Sequence, residues 1–225
     1  MNLISPRRGF YVIVPPQYRR LGAPPPSWYI DSLMRHEERP YYVGLLKAAE
    51  LHGAAHQAVM EFQVVTDKRL PNVRAGRSSI VFYYRNDMSA IGDGIEERKT
   101  DTGQMRVSTP ALTALDLLRY VHASGGLDNV LTVLLELGGQ IDAGKLAKLS
   151  FSFERSIVQR LGYLLVRAGW ADAAELLRSA LLQRGNLPWV ELEPLLTKIS
   201  EFEDEPIERD DRWRVVIRRE LEPDI

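Results

Sequence analysis

The chain has 225 residues, 45% hydrophobic and 26% charged, an ordinary globular composition with enough apolar content to bury a sizeable core. It has no cysteine, which excludes a disulfide framework, thiolate metal sites and cysteine nucleophiles; no stretch approaches the roughly 18–20 apolar residues of a membrane span, and no signal-peptide core opens the chain, so a cytoplasmic protein is expected. The net charge of −1 hides an asymmetry: residues 1–112 carry +4 and residues 113–225 carry −5, and Arg7, Arg8, Arg19 and Arg20 all precede the first acid, Asp31.

"LISPRRGFYVIV" reads as a two-stranded ribbon turning at Arg7, Arg8 and Gly9, its second strand stopped by Pro15-Pro16. Pro24-Pro25-Pro26 then imposes an extended connection. Two short helices follow, one carrying Trp28, Ile30, Leu33 and Met34, the other Leu45, Leu46 and Ala49, with Gly53 placed as a left-handed terminator. From Ala58 to Val107 the apolar period shortens, and β-branched and aromatic runs bounded by Pro71, Gly76, Asn86-Asp87 and Gly92 predict three to five antiparallel strands, with a hairpin around Thr100–Gln104.

"STP" ends the strand region: Ser108 or Thr109 can cap a helix whose first residue is Pro110, where the missing N–H costs nothing. Leu112, Leu115, Leu118 and Val121 line one face of that helix and Ala111, Ala114 and Leu117 a second, so burial on two sides is expected. Further helices run on with glycine punctuation, joined by short connections that favour antiparallel neighbours. Trp213, Val215 and Ile217 alternate with more polar residues, as in a half-buried closing strand. The predicted class is α+β: a short N-terminal β-ribbon, a small antiparallel sheet with flanking helices, then an antiparallel helical second half and a closing strand.

Signs of chemistry are sparse. His52 and His56 have the spacing of a shared zinc site on one helix, but Gly53 interrupts them and no glutamate follows His52, so they read as surface histidines at a helix end. Asp87 with Glu97 and Lys99 resembles the D…ExK signature of Mg²⁺-dependent nucleases, since residues 97 and 99 share a strand face; the plain alternative is an exposed charge pair. There is no phosphate-binding glycine loop and no nucleophile elbow. No cofactor is expected. A helical interaction domain is a third reading, resting on the amphipathic second half.

Five phrases carry a family resemblance in order: "SPRRGFYVIVPPQYR", "YYVGLLKAAELHGAAHQA", "GQMRVSTPALTALDLLRY" with "GGLDNV", "RSIVQRLGYLLVRAG" and "RWRVVIRRELEPDI". Together they resemble the AbiEi antitoxins of type IV (abortive-infection) toxin–antitoxin systems, over nearly the whole chain. The resemblance implies a non-enzymatic antitoxin and transcriptional regulator that antagonises a nucleotidyltransferase-like toxin. It also implies a two-part plan, a DNA-binding winged helix-turn-helix followed by an antitoxin domain. On that plan residues 1–23 correspond to the wing and linker, with Arg7, Arg8, Arg19 and Arg20 as candidate contacts to operator DNA, and residues 24–225 to the antitoxin domain. No positions here match the family's recognition helix.

Overall fold

The computed structural model describes residues 2–54, 59–193 and 205–223. The chain divides at Thr109/Pro110 into two compact units, with His52–Ala54 going to the second.

In the first unit, β1 (Asn2–Arg7) and β2 (Phe10–Val14) form the expected ribbon, antiparallel, with an irregular register between Ile4 and Arg7 where Ser5-Pro6 interrupts the ladder. Short 3₁₀ turns at Pro16–Tyr18 and Pro26–Trp28 lead into α1 (Ile30–His36). Asp31 in its first turn and Arg35 and His36 in its last complement the helix dipole, and Asp31 and Arg35 also pair with each other.

Next come β3 (Tyr41–Val43), α2 (Leu45–Leu51), β4 (Glu61–Thr66), β5 (Val73–Ala75), β6 (Ser78–Tyr84), β7 (Ile95–Thr100) and β8 (Gly103–Ser108). These strands make one six-stranded sheet in the order β5-β6-β4-β3-β8-β7. The β7–β8 hairpin turns at Asp101-Thr102 as expected. The expectation of an all-antiparallel sheet is corrected: β4 pairs parallel with β6 along its whole length, and β3 pairs parallel with β8. Thr66 ends β4 and β5 crosses outward to the edge before β6 returns, which reverses the chain twice and leaves β6 running with β4.

The core of this unit sets α1 (Ile30, Leu33, Met34) and the inner ribbon residue Val12 among Val43, Phe62, Val64, Ile80 and Val107 of the sheet. Gln63, almost fully buried, accepts from the Lys47 backbone N–H with its side-chain oxygen (3.3 Å), satisfying a free donor at the start of α2. Gly53 adopts the left-handed conformation expected of a terminator, φ +77°.

The second unit holds α3 (Pro110–Arg119), α4 (Gly126–Leu137), α5 (Ala143–Ser150), α6 (Arg155–Arg167) and α7 (Ala171–Leu182). Both predicted faces of α3 are buried, from Ala111 through Leu118, because α4, α5 and α6 all pack on it. Asp142 caps α5, its side chain accepting from Lys145 N–H at 2.8 Å. The Trp170 indole N–H donates to the Leu134 carbonyl at 2.9 Å, and its ring lies directly on Gly138, where a Cβ would come within 2.1 Å of it.

A three-stranded sheet closes this unit in the order β10-β11-β9: β9 (Val190–Glu191), β10 (Glu208–Asp210) and β11 (Val215–Ile217). The alternation expected near the C-terminus is present, with Trp213, Val215 and Ile217 buried. Trp213 fits over Gly162 of α6, and the fully buried Gln159 amide donates to the carbonyls of Pro188 (2.9 Å) and Trp213 (2.8 Å).

Beyond β11, Arg219 holds two carboxylates at once, Glu193 (2.6 Å) and Asp128 (2.6 Å), and the Glu222 N–H adds a bond to Asp128 (2.7 Å). The Arg219 hydrogen bonds hold the Asp128 carboxyl below the usual carboxylate range. A carboxyl depressed in this way contributes stability that is fully present above its unfolded pKa of about 3.9 and is lost as pH falls through the folded value. Arg219→Gln is therefore expected to lower stability at neutral pH by about 1 kcal/mol, a modest figure because solvent screens the pair. Denaturant melts from pH 7 down to pH 3 should show the gap to wild type closing below about pH 4; a gap that is constant with pH would contradict this assignment.

Candidate functional site

The ribbon and the segment after it gather the arginines that the sequence singles out. The turn depends on Gly9, whose φ of +78° favours glycine. Arg7 points inward: its Nε pairs with Glu37 at 3.0 Å, its guanidinium donates to the Pro71 carbonyl, and it lies over the Phe82 ring at 5.6 Å. The His36 ring meets the Arg8 carbonyl at 3.2 Å and lies 5.5 Å from the Phe10 ring. Arg7 thus fastens the ribbon to the sheet. Arg8, Arg19 and Arg20 are exposed and form no ion pair among the described residues.

The outer face of the ribbon is apolar as well. Leu3 and Ile13 are a cross-strand pair and Tyr11 lies two residues from Ile13, and all three are more than half exposed. Their opposite neighbours Val12 and Val14 are buried. The sequence signal was present in "FYVIV", which is apolar at both parities rather than alternating.

The linker is as firmly placed. Tyr18 meets Trp28 edge-on at 5.0 Å, the Trp28 indole N–H donates to Asp101 (3.0 Å), and the Thr102 hydroxyl donates to the Trp28 carbonyl (2.8 Å). The Leu21 carbonyl accepts from Arg77 N–H at 3.1 Å and lies against Gly76, φ +57°, where a Cβ would approach it to 2.1 Å.

A second region tests the nuclease reading. Asp87 and Glu97 do share a cleft of about 620 Å³ with Asp67, Glu96 and Arg106. However, Asp87 Oδ1 already accepts from the Ser89 hydroxyl (3.0 Å) and Ala90 N–H (3.2 Å), fixing the 3₁₀ turn Ser89–Gly94. Lys99 is not part of the cleft wall, and Glu97 lies opposite Arg106 in the hairpin. Among the described residues no group of three or more histidine, aspartate or glutamate side chains is arranged to hold a metal ion. Tyr41, also in this wall, is a poor proton donor at neutral pH: its hydroxyl donates to Asp31 (3.1 Å), accepts from Arg106 N–H (3.3 Å), and burial raises its pKa. His52 follows α2, and His56 lies outside the described residues.

Among the described residues no helix is long and apolar enough to cross a membrane. Among the described residues, then, Arg8 at the ribbon turn and Arg19 and Arg20 in the segment after it are exposed arginines without an ion pair. The AbiEi antitoxin C-terminal domain matches residues 42–167, a segment running from β3 to the end of α6. The chain belongs to this family of antitoxin domains, which is not a family of enzymes and whose members imply a toxin partner. Among solved structures, the RV2827C protein of Mycobacterium tuberculosis has a similar fold, with a TM-score of 0.66 and 16% identity over 96% of this chain and 75% of that one. No curated protein matches.

Proposed function

We propose that the protein is the antitoxin and transcriptional regulator of a type IV toxin–antitoxin system, working in the cytoplasm against a nucleotidyltransferase-like toxin. The observation that carries this reading is the antitoxin-domain match across more than half of the chain. Residues 1–23 act as the wing and linker of a DNA-binding element and residues 24–225 as the antitoxin domain. The division of labour among the arginines follows from their surroundings: Arg8, Arg19 and Arg20 face solvent and reach phosphate, while Arg7 holds the ribbon in place.

The test is rescue of growth in cells expressing the toxin encoded beside this protein. Glu97→Gln combined with Lys99→Ala should fold normally and rescue as well as wild type, and neither protein should cleave DNA or RNA with Mg²⁺ above background. A nuclease would instead lose its activity in the double variant, because a metal ligand and a charge-stabilising lysine both act on the phosphoryl transition state. Wild-type cleavage that disappears in the variant would overturn the antitoxin reading.

A further inference from the structure

In the second unit a cleft of about 440 Å³ opens between the end of α3, the start of α4 and the first turns of α6. Leu118, Val121, Leu127, Ile157 and Leu192 supply an apolar wall. Its volume falls within the roughly 300–1,000 Å³ of small-molecule sites, which are mostly apolar with a few placed polar groups. The charges on the wall differ in how they are matched. Arg119 is paired with Glu154 at 3.4 Å, and Glu193 is held by Arg219 at 2.6 Å.

Arg160 is the exception. Its one hydrogen bond runs from Nε to the Glu191 carbonyl at 2.8 Å, and the Glu191 carboxylate is taken by both nitrogens of an Arg218 fork, at 3.1 and 3.0 Å. The terminal amino groups of Arg160 are left with no protein acceptor among the described residues. Partial burial disfavours its charged form and lowers its pKa, and the charge of nearby Glu191, whose oxygens are bound by Arg218, offsets this only in part.

We propose that this cleft binds a small amphipathic anion, a carboxylate or phosphate monoester on a body of aliphatic or aromatic carbon, with the free face of the Arg160 guanidinium as its recognition group. The planar fork of N–H donors suits either oxyanion with two parallel hydrogen bonds, which a point-charge ammonium does not reproduce. The apolar wall takes the carbon body and excludes water from the contact. The site lies apart from the ribbon and does not rest on the antitoxin reading; either can fail while the other stands.

The test is calorimetric titration of the full chain with octanoate and octyl phosphate, beside octanol as the uncharged body and acetate as the bare head group. At least one of the two long-chain anions should bind with a Kd below about 1 mM and about tenfold or more tighter than octanol, with acetate showing no measurable binding. The stronger of the two identifies the head group. Arg160→Gln should weaken the anions about tenfold while leaving octanol unchanged, and Arg160→Lys should restore part of the loss. Ser156→Trp, which keeps Arg160 and fills the cleft from its wall, should abolish binding of anion and octanol alike, and it serves as the test if Arg160→Gln does not fold. Anions that bind no tighter than octanol, no binding of either anion at about 2 mM, or a Ser156→Trp protein that binds like wild type would each overturn the proposal.

Discussion

Gly162→Ala is expected to destabilise the protein by about 3 kcal/mol, although the same exchange at an unconstrained helix position would stabilise it by up to about 1 kcal/mol. The Trp213 ring occupies the space of the missing Cβ, with ring carbons 2.0–2.4 Å from where that atom would sit. Trp213 has no room to withdraw, being 1% exposed, with its backbone held by Gln159 and by Asp210, which accepts from Trp213 N–H at 2.6 Å. An added methyl must therefore push the closing strand away from α6 or distort the helix. Gly144→Ala in α5 is the control: Gly144 is exposed and a Cβ there meets only Asp142 Oδ1, at 3.4 Å, so that variant should be neutral or slightly stabilised. Urea denaturation followed by tryptophan fluorescence would show a lowered midpoint for Gly162→Ala and an unchanged or slightly raised one for Gly144→Ala, at unchanged slope. Equal shifts would mean that the indole does not sit where it is described.

Leu115→Ala should cost about 2–5 kcal/mol. Leu115 is fully buried on a helix packed by α4, α5 and α6, and such a site cannot collapse around the cavity without moving several helices together. A loss below about 0.5 kcal/mol in the same denaturation experiment would place the core face of α3 wrongly.

The elements most visible in the sequence were those with a local signal. The β1–β2 turn, the β7–β8 hairpin, the proline start of α3 and the alternation around Val215 each depend on residues within one or two turns of chain. Strand direction has no such signal. Nothing local to Phe62–Thr66 or Ile80–Tyr84 says that the two run parallel, because pairing direction is set by the intervening edge strand Val73–Ala75. Tyr41–Val43 carries no strand signal for a related reason: all three residues are buried, so the alternation that marks a half-exposed strand is missing.

The candidate site was legible as a cluster of charge and no further. Arg7 and Arg8 are neighbours with the same chemistry, yet Glu37, Pro71 and Phe82 claim the first, and those partners are far off in sequence. Arg160 looks in the sequence like any solvated helix arginine; the engagement of the Glu191 carboxylate by Arg218 leaves its terminal amino groups without a carboxylate hydrogen bond among the described residues.

The clamp at Gly76 has a thermodynamic side. A two-stranded ribbon on a proline-rich tether would ordinarily sweep a wide volume, and any surface capturing it would have to remove that freedom at a cost in association entropy. Here the Leu21 carbonyl is seated against Gly76, Trp28 is tied to Asp101 and Thr102, and Arg7 is locked to Glu37, so that freedom has already been lost in folding. Arg8, Arg19 and Arg20 therefore stand exposed on a backbone that these contacts hold in place. On the proposed role in DNA binding, counter-ion release would favour contact with phosphate, and the ordering cost would fall on the arginine side chains rather than on the main chain.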